Sequence, residues 1–135
     1  MDLTLEDFAA AVGSTGPVAI AGLGTRSRPL SDVRVVNAPI GIEWIEPAEM
    51  TIRCGAGTPV DEVDAALAEH GQQVAVHSGG TVGGALAVGQ SGIRRLAYGA
   101  MRDALLQANY VNAAGKLVKA GGPTVKNVSG FDLCR

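Results

Sequence analysis

The centre of the chain contains the stretch Ser78-Gly79-Gly80-Thr81-Val82-Gly83-Gly84, and two more glycines follow by Gly92. Each glycine in a helix interior costs about 1 kcal/mol relative to alanine, so we expect this stretch to form no stable helix. Glycines are useful where a backbone must turn tightly or allow another group to approach closely. The residues on either side are mainly apolar, which indicates burial. The stretch therefore predicts contact with a ligand, and a flexible surface loop is the alternative.

A second glycine-containing loop, Gly22-Leu23-Gly24-Thr25-Arg26-Ser27, follows the apolar run at residues 18–21, which predicts a buried strand. The loop does not match the dinucleotide-binding fingerprint, because Ser27 replaces the third glycine and Pro29 stands where a helix should begin. Its backbone N–H groups, two hydroxyls and arginine can surround a phosphate. A polar turn between two strands explains the same residues.

Composition and charge limit the classes of protein to which the chain can belong. It has 135 residues, of which 47% are hydrophobic and 18% charged, as expected for one globular domain with its own core. Residues 1–70 carry a net charge of −7 and residues 71–135 a net charge of +5. The overall charge of −2 argues against nucleic acid as a partner, whereas the basic second half suits one small anionic ligand.

The sequence does not indicate a targeting segment, a membrane span or a metal site. Its N-terminus is acidic, and the longest uncharged stretch, residues 71–93, contains glycines and polar side chains throughout. Cys54 and Cys134 are too few for a disulfide framework, and neither lies at metal-ligand spacing from a second cysteine or histidine. We therefore expect no metal, no membrane span and a cytoplasmic location.

Apolar periodicity predicts an α+β fold with two unequal lobes. Helices are expected after Thr4 and after Thr58, with Pro59 as the first residue of the second helix. Short strands are expected at residues 18–21, 33–36, 40–45, 51–54, 73–76, 106–111 and 116–119. The order of these elements predicts a small βαβ-like lobe over residues 1–76 and the start of a mainly antiparallel sheet lobe over residues 77–135.

Four motifs cover nearly the whole chain: Gly22-Leu23-Gly24-Thr25-Arg26-Ser27; Thr81-Val82-Gly83-Gly84 running on to Ser91-Gly92; Tyr98-Gly99-Ala100-Met101-Arg102-Asp103; and Gly121-Gly122 followed by Lys126-Asn127-Val128-Ser129-Gly130-Phe131-Asp132-Leu133. Each motif alone has low specificity, whereas their order and spacing together are specific. In these motifs the chain resembles the FAD-binding domain of the vanillyl-alcohol oxidase and para-cresol methylhydroxylase type. Within that family it is most similar to the FAD-binding subunits of glycolate oxidase.

The resemblance implies that FAD lies extended between the two lobes, with its pyrophosphate held mainly by backbone N–H groups. The residues implied to bind FAD are Gly22, Leu23, Gly24, Thr25, Arg26, Ser27, Gly80, Thr81, Val82, Gly83, Gly84, Gly89, Ser91, Gly92, Lys126 and Asn127. For Lys126 and Asn127, capping the turn before Gly130 is an equal alternative. A valine at position 83 is expected to block the approach of FAD to the backbone.

Some relatives in this family tether FAD covalently to a histidine in the first loop. Thr25 and Arg26 occupy that region here, so the resemblance implies non-covalent binding. Family domains also continue beyond residues 131–133 with further strands and a substrate domain. The chain is therefore expected to be an FAD-binding domain that is incomplete at its C-terminus, and no catalytic residue is assigned in it.

The resemblance further implies a flavin-dependent oxidoreductase that oxidises a small 2-hydroxy acid, such as glycolate or lactate, with FAD as the hydride acceptor. In glycolate oxidase-like assemblies the FAD subunit works beside a second flavoprotein and an iron–sulfur subunit, so such partners are implied. A truncated remnant that acts as a non-catalytic binding or interaction module is the alternative.

Overall fold

The computed structural model describes residues 4–26, 28, 30–76, 79–89, 91–122 and 134. The helices in this part of the chain are α1 (Leu5–Val12), α2 (Val60–Ala68), α3 (Val82–Val88), α4 (Arg95–Tyr98) and α5 (Met101–Ala104), with a 3₁₀ turn at Pro47–Glu49. The strands are β1 (Val18–Ala21), β2 (Arg34–Asn37), β3 (Ile42–Glu46), β4 (Thr51–Cys54), β5 (Gln107–Val111) and β6 (Leu117–Gly121). This mixture of helices and strands confirms the α+β prediction at the level of composition.

Strand pairing occurs in three two-stranded sheets within the described residues. β1 pairs with β2 in parallel, whereas β3 pairs with β4 and β5 pairs with β6 in antiparallel fashion. Residues 73–76 form no strand, so that prediction was wrong. Helix α2 follows β4 as expected, but no strand follows it at residues 73–76, so the described residues lack the second strand of the expected βαβ-like arrangement there.

Helix α1 begins at the predicted cap. The Thr4 hydroxyl accepts a hydrogen bond from the Asp7 backbone N–H at 3.1 Å, and the Asp7 carboxylate accepts one from the Thr4 N–H at 3.3 Å. This reciprocal pair satisfies N–H groups that have no partner within the helix. Gly13, with φ at +63°, ends the helix in a backbone conformation that favours glycine.

Helix α2 has the predicted apolar face but a different start. Pro59 is its cap residue, so Thr58 does not cap the helix as expected. Thr58 is fully buried, and its hydroxyl instead accepts from the Gly41 N–H at 2.9 Å and donates to the Gly41 carbonyl at 3.2 Å. A residue that reads as a helix cap in the sequence therefore joins the start of α2 to the start of β3.

The main core cluster lies where α2, α3 and α5 meet. Its buried members are Val60, Val76, Ala85 and Met101. Partly buried apolar side chains of α3 pack against it, and Ala85 itself is fully buried. The core cluster thus fixes the position of α3, and with it the C-terminal end of the glycine-rich residues 79–84.

Helix α3 contradicts the expectation that residues 82–84 form no helix. The Thr81 hydroxyl accepts a hydrogen bond from the Gly84 N–H at 3.1 Å and so caps the helix. The Gly83 N–H donates to the Ala56 carbonyl at 2.7 Å. These tertiary contacts, together with burial of Ala85, outweigh the low helix propensity of two glycines in the first turn.

The β5–β6 hairpin confirms the strands and turn predicted near the end of the described chain. The Asn112 side chain accepts hydrogen bonds from the backbone of Ala114 and Lys116, both at 3.0 Å. Gly115 has a φ of +71° and allows the turn to close. Across the described ranges, the longest helix has nine residues, too few to cross a bilayer.

Candidate functional site

The two glycine-containing segments singled out in the sequence lie beside each other. Arg26 donates a hydrogen bond from Nη2 to the Gly79 carbonyl at 3.2 Å, across 53 positions of sequence. A Cβ atom built on Gly22 would lie 3.0 Å from the Thr81 hydroxyl oxygen. The structure therefore brings both ends of residues 22–26 against the start of residues 79–84, and we call this pair of segments the glycine cradle.

The Arg26 side chain lies across the glycine cradle. Its Nη1 is 3.4 Å from the Thr25 hydroxyl oxygen, and a Cβ built on Gly80 would overlap the same guanidinium group. A Cβ on Gly84 would lie 3.5 Å from Nη1. Glycine at position 80 thus allows a positive charge to sit directly against the backbone, where any side chain would displace it.

Several backbone amides of the cradle are available for a ligand. Within the described part of the chain, the N–H groups of Leu23, Gly24 and Thr25 donate no hydrogen bond, and all three residues are exposed. Buried backbone donors are almost always paired, and exposed ones near a cation favour an anion. The cradle therefore combines backbone donors with one guanidinium charge, which suits a phosphate or carboxylate group.

A third segment supports the cradle, and the sequence analysis did not identify it. The Val82 N–H donates to the Thr58 carbonyl at 3.0 Å, and the Val60 N–H donates to the Gly80 carbonyl at 3.0 Å. Gly57 packs directly against the backbone that follows β2, because a Cβ on Gly57 would be 2.5 Å from the Ala38 carbonyl oxygen. The alternation of Gly55 and Gly57 before a helix was the signal that could have indicated such close packing.

Gly83 has a different role from the one expected. A Cβ on this residue would lie 2.7 Å from the Ala56 Cβ and 2.9 Å from the Ala56 carbonyl oxygen. The missing side chain thus makes room for the supporting segment and not for a ligand. A valine at position 83 is expected to disturb the fold, which corrects the expectation that it would only block a ligand.

The remaining residues of the expected site are Gly89, Ser91, Gly92, Ser27, Lys126 and Asn127. Gly89 ends α3 in a left-handed conformation, and Ser91 and Gly92 follow it. Gly89 is eight residues from Thr81, so it lies about 12 Å along the helix axis from the start of the cradle's second segment. Ser27, Lys126 and Asn127 lie outside the described residues.

Two further observations concern titratable and metal-binding side chains elsewhere in the described structure. Burial raises the pKa of the Cys54 thiol above its ordinary value, and the negative charge of Glu43 adds to the effect. This thiol, at the end of β4, is therefore held in its protonated form. Over the described ranges, no three histidine, cysteine or acidic side chains gather closely enough to hold a metal ion.

Comparison with known proteins gives matches that agree with this geometry. The chain is 34% identical over 140 residues to glycolate oxidase subunit GlcE of Escherichia coli (strain K12), a match that covers 97% of the chain and 40% of that protein. It is 41% identical over 83 residues to D-lactate dehydrogenase of Archaeoglobus fulgidus, covering 59% of the chain and 19% of that protein. It is 38% identical over 55 residues to glycolate oxidase subunit GlcD of Bacillus subtilis (strain 168), covering 41% of the chain and 12% of that protein.

The chain thus spans two fifths or less of the length of each of these relatives. The family described as FAD binding domain matches residues 14–121, which include both segments of the glycine cradle. That range is most of the chain, and the resemblance noted in the four motifs is confirmed. The chain belongs to the family of FAD-binding domains.

Proposed function

We propose that the chain is the part of a flavin-dependent oxidoreductase that holds the pyrophosphate of FAD, and that the enzyme oxidises a small 2-hydroxy acid. The observation that carries the proposal is the meeting of residues 22–26 and 79–84 around Arg26. Family membership supports FAD as the cofactor. The glycine cradle is the part of the described structure that suits its charged group.

The residues of the glycine cradle fit a pyrophosphate for two physical reasons. Its backbone N–H groups and the Arg26 guanidinium supply donors and positive charge to phosphate oxygens. Gly24 has a φ of +70°, and a Cβ there would meet no atom of the described residues within 4 Å, so this face of Gly24 is open to a ligand in that part of the chain. Gly22, Gly80 and Gly84 instead allow Thr81 and Arg26 to pack closely against the backbone of the cradle, which fixes the side chains around the proposed site.

Binding in this proposal is non-covalent. Thr25 and Arg26 occupy the loop in which some family members carry a histidine that bonds to FAD. Neither a hydroxyl nor a guanidinium group forms such a bond under ordinary conditions. The proposal therefore predicts that FAD is released when the protein is denatured.

The proposed substrate class follows from the names of the relatives, which include glycolate oxidase subunits and D-lactate dehydrogenase. FAD, when bound, supplies the group that accepts a hydride from the carbon bearing the substrate hydroxyl. The residues of this chain bind and orient that cofactor through its pyrophosphate. We assign no catalytic base to them.

The proposal includes two lobes, at residues 1–76 and 77–135, with FAD extended between them. Gly89, Ser91 and Gly92 would then line the cofactor path beyond α3, and Ser27, Lys126 and Asn127 complete the proposed set. One relative is named as a subunit, which supports a hetero-oligomer. The proposed partners are a second flavoprotein and an iron–sulfur subunit, in the cytoplasm.

The experiment that tests the cofactor assignment is an FAD titration of the purified protein, followed by desalting and a visible absorbance spectrum. Arg26→Ala should weaken binding by about tenfold, as expected for the loss of a charge-assisted hydrogen bond. Arg28→Ala is the matched control, because it removes the same charge from an exposed position in the same connection. Equal loss in both variants would indicate general electrostatic attraction and refute the cradle.

The substrate class is tested by mixing FAD-loaded protein with glycolate or D-lactate without oxygen. Loss of flavin absorbance at about 450 nm shows that the cofactor has been reduced. Bound FAD with no reduction by any 2-hydroxy acid, even with the proposed partner subunits added, would refute the oxidoreductase proposal and favour a binding module.

A further inference from the structure

A negative side chain lies beside the proposed anion site, and the pyrophosphate proposal does not explain it. Asp61, in the first turn of α2, accepts a hydrogen bond from the Gly79 N–H through Oδ1 at 3.2 Å. A carboxylate so close to a phosphate group opposes its binding electrostatically. Asp61 therefore needs a role other than attraction of the cofactor.

The contacts of Gly79 suggest that role. Its N–H is held by Asp61, while its carbonyl oxygen is held by Arg26 at 3.2 Å. Gly79 and Gly80 have φ values of +85° and +75°, so two successive residues occupy a conformation that only glycine adopts readily. Without hydrogen bonds to hold it, such a pair of glycines samples many backbone conformations, and this conformational entropy is lost when a ligand binds.

We propose that Asp61 is a positioning residue for the cofactor: by anchoring the Gly79 N–H opposite the Arg26 anchor on the carbonyl, it fixes residues 79–80 in the conformation that presents the glycine cradle. This inference rests on the proposed function. Preorganisation of a loop raises affinity because less conformational entropy is lost on binding. The benefit depends on an acceptor oxygen and not on the negative charge.

Helix α2 offers a matched control for this inference. Asp64 lies three residues later and accepts a backbone hydrogen bond from the Val74 N–H at 3.0 Å. Asp61→Ala and Asp64→Ala thus each remove one acidic side chain and one side chain–backbone hydrogen bond from the same helix. Only the first of these bonds reaches the glycine cradle. Asp61→Asn keeps an acceptor oxygen at the same place and removes the charge.

The test measures the FAD dissociation constant of the purified protein and its three variants by quenching of flavin fluorescence. Asp61→Ala should bind FAD about tenfold more weakly, as for the loss of a hydrogen bond to a charged group. Asp61→Asn should bind as tightly as the original protein or more tightly, and Asp64→Ala should bind unchanged. A structural role alone would weaken binding in both alanine variants and would give no rescue by asparagine.

Amide hydrogen exchange in the absence of FAD supplies a second measurement that does not depend on the cofactor. Exchange at the Gly79 amide, whose N–H donates to Asp61, should become faster in Asp61→Ala and stay unchanged in Asp61→Asn and Asp64→Ala. Unchanged exchange in Asp61→Ala, or equal FAD affinity in Asp61→Ala and the original protein, would overturn the inference. Absence of FAD binding by the original protein would instead refute the proposed function, while the exchange measurement would still show whether Asp61 orders the loop.

Discussion

The substitution Gly24→Ala should distinguish an effect on cofactor binding from an effect on the stability of the fold. Gly24 has a φ of +70°, and among the residues that the structure describes nothing lies within 4 Å of a Cβ atom built there. Gly16 has a φ of +72° and an equally open surrounding, but it lies outside the glycine cradle. An alanine in this conformation costs about 1–2 kcal/mol at either position, so Gly24→Ala and Gly16→Ala should lose similar free energies of unfolding in urea.

Binding of FAD should distinguish the two variants. Because no described residue occupies the space beside Gly24, a bound ligand is expected to collide with the new methyl group. Gly24→Ala should therefore weaken FAD binding by at least about tenfold, or about 1.4 kcal/mol, in a fluorescence titration, while Gly16→Ala retains the original affinity. Equal affinities in the two variants would show that FAD does not approach the first segment of the cradle, and the reasoning would be wrong.

Three further predictions concern the fold around the site. Thr58→Val should lower the free energy of unfolding in urea by about 1–3 kcal/mol, because the Gly41 N–H would lose a buried acceptor. Burial raises the pKa of the Cys54 thiol in the folded state, so the contribution of the protonated thiol to stability is fully present below the unfolded thiol pKa of about 8.5. This contribution is lost as the pH rises through the higher folded pKa. Cys54→Ala should therefore show a smaller alkaline decrease in the urea midpoint than the original protein. Gly83→Val should lower the melting temperature even without FAD, because its side chain would overlap Ala56; an unchanged melting temperature would contradict the packing described.

The elements that sequence reasoning predicted well are those stabilised by nearby residues. Thr4 and Asp7 form a cap within four residues, and the Asn112 side chain closes its turn through amides two and four positions later. Such patterns are visible in the sequence because both partners lie in the same short window. The α1 start and the β5–β6 hairpin were therefore predicted correctly.

The elements that were missed depend on contacts between distant residues. Helix α3 forms because Gly83 donates to the Ala56 carbonyl and fits against Ala56, and neither fact is visible from the composition of residues 78–84. Thr58 was assigned to a cap because it precedes Pro59, whereas its hydroxyl bonds with Gly41, 17 positions earlier. Glycine content alone predicted where another group packs closely against the backbone, but not whether that group belongs to the protein or to a ligand.

In the candidate site, too, the features with a local sequence pattern were predicted, and those that depend on distant contacts were missed. Both segments of the glycine cradle were recognised from their glycines, hydroxyls and arginine. The supporting segment at residues 55–58 and the carboxylate of Asp61 were not recognised, because their partners are separated from them by 14 to 27 positions in the sequence and form no local pattern. Local composition thus identifies the surface that faces a ligand, whereas tertiary contacts identify what holds that surface in place.

The two segments of the cradle are anchored unequally, and this has a kinetic consequence. Residues 79–84 run into α3, whose Ala85 is fully buried in the main core. Residues 22–26 leave a parallel pair of strands, and two-stranded sheets are only marginally stable by themselves. We therefore expect residues 22–26 to open on a faster timescale than residues 79–84. The residence time of a bound ligand would then depend on how often residues 22–26 open, and not on the lifetime of the folded domain.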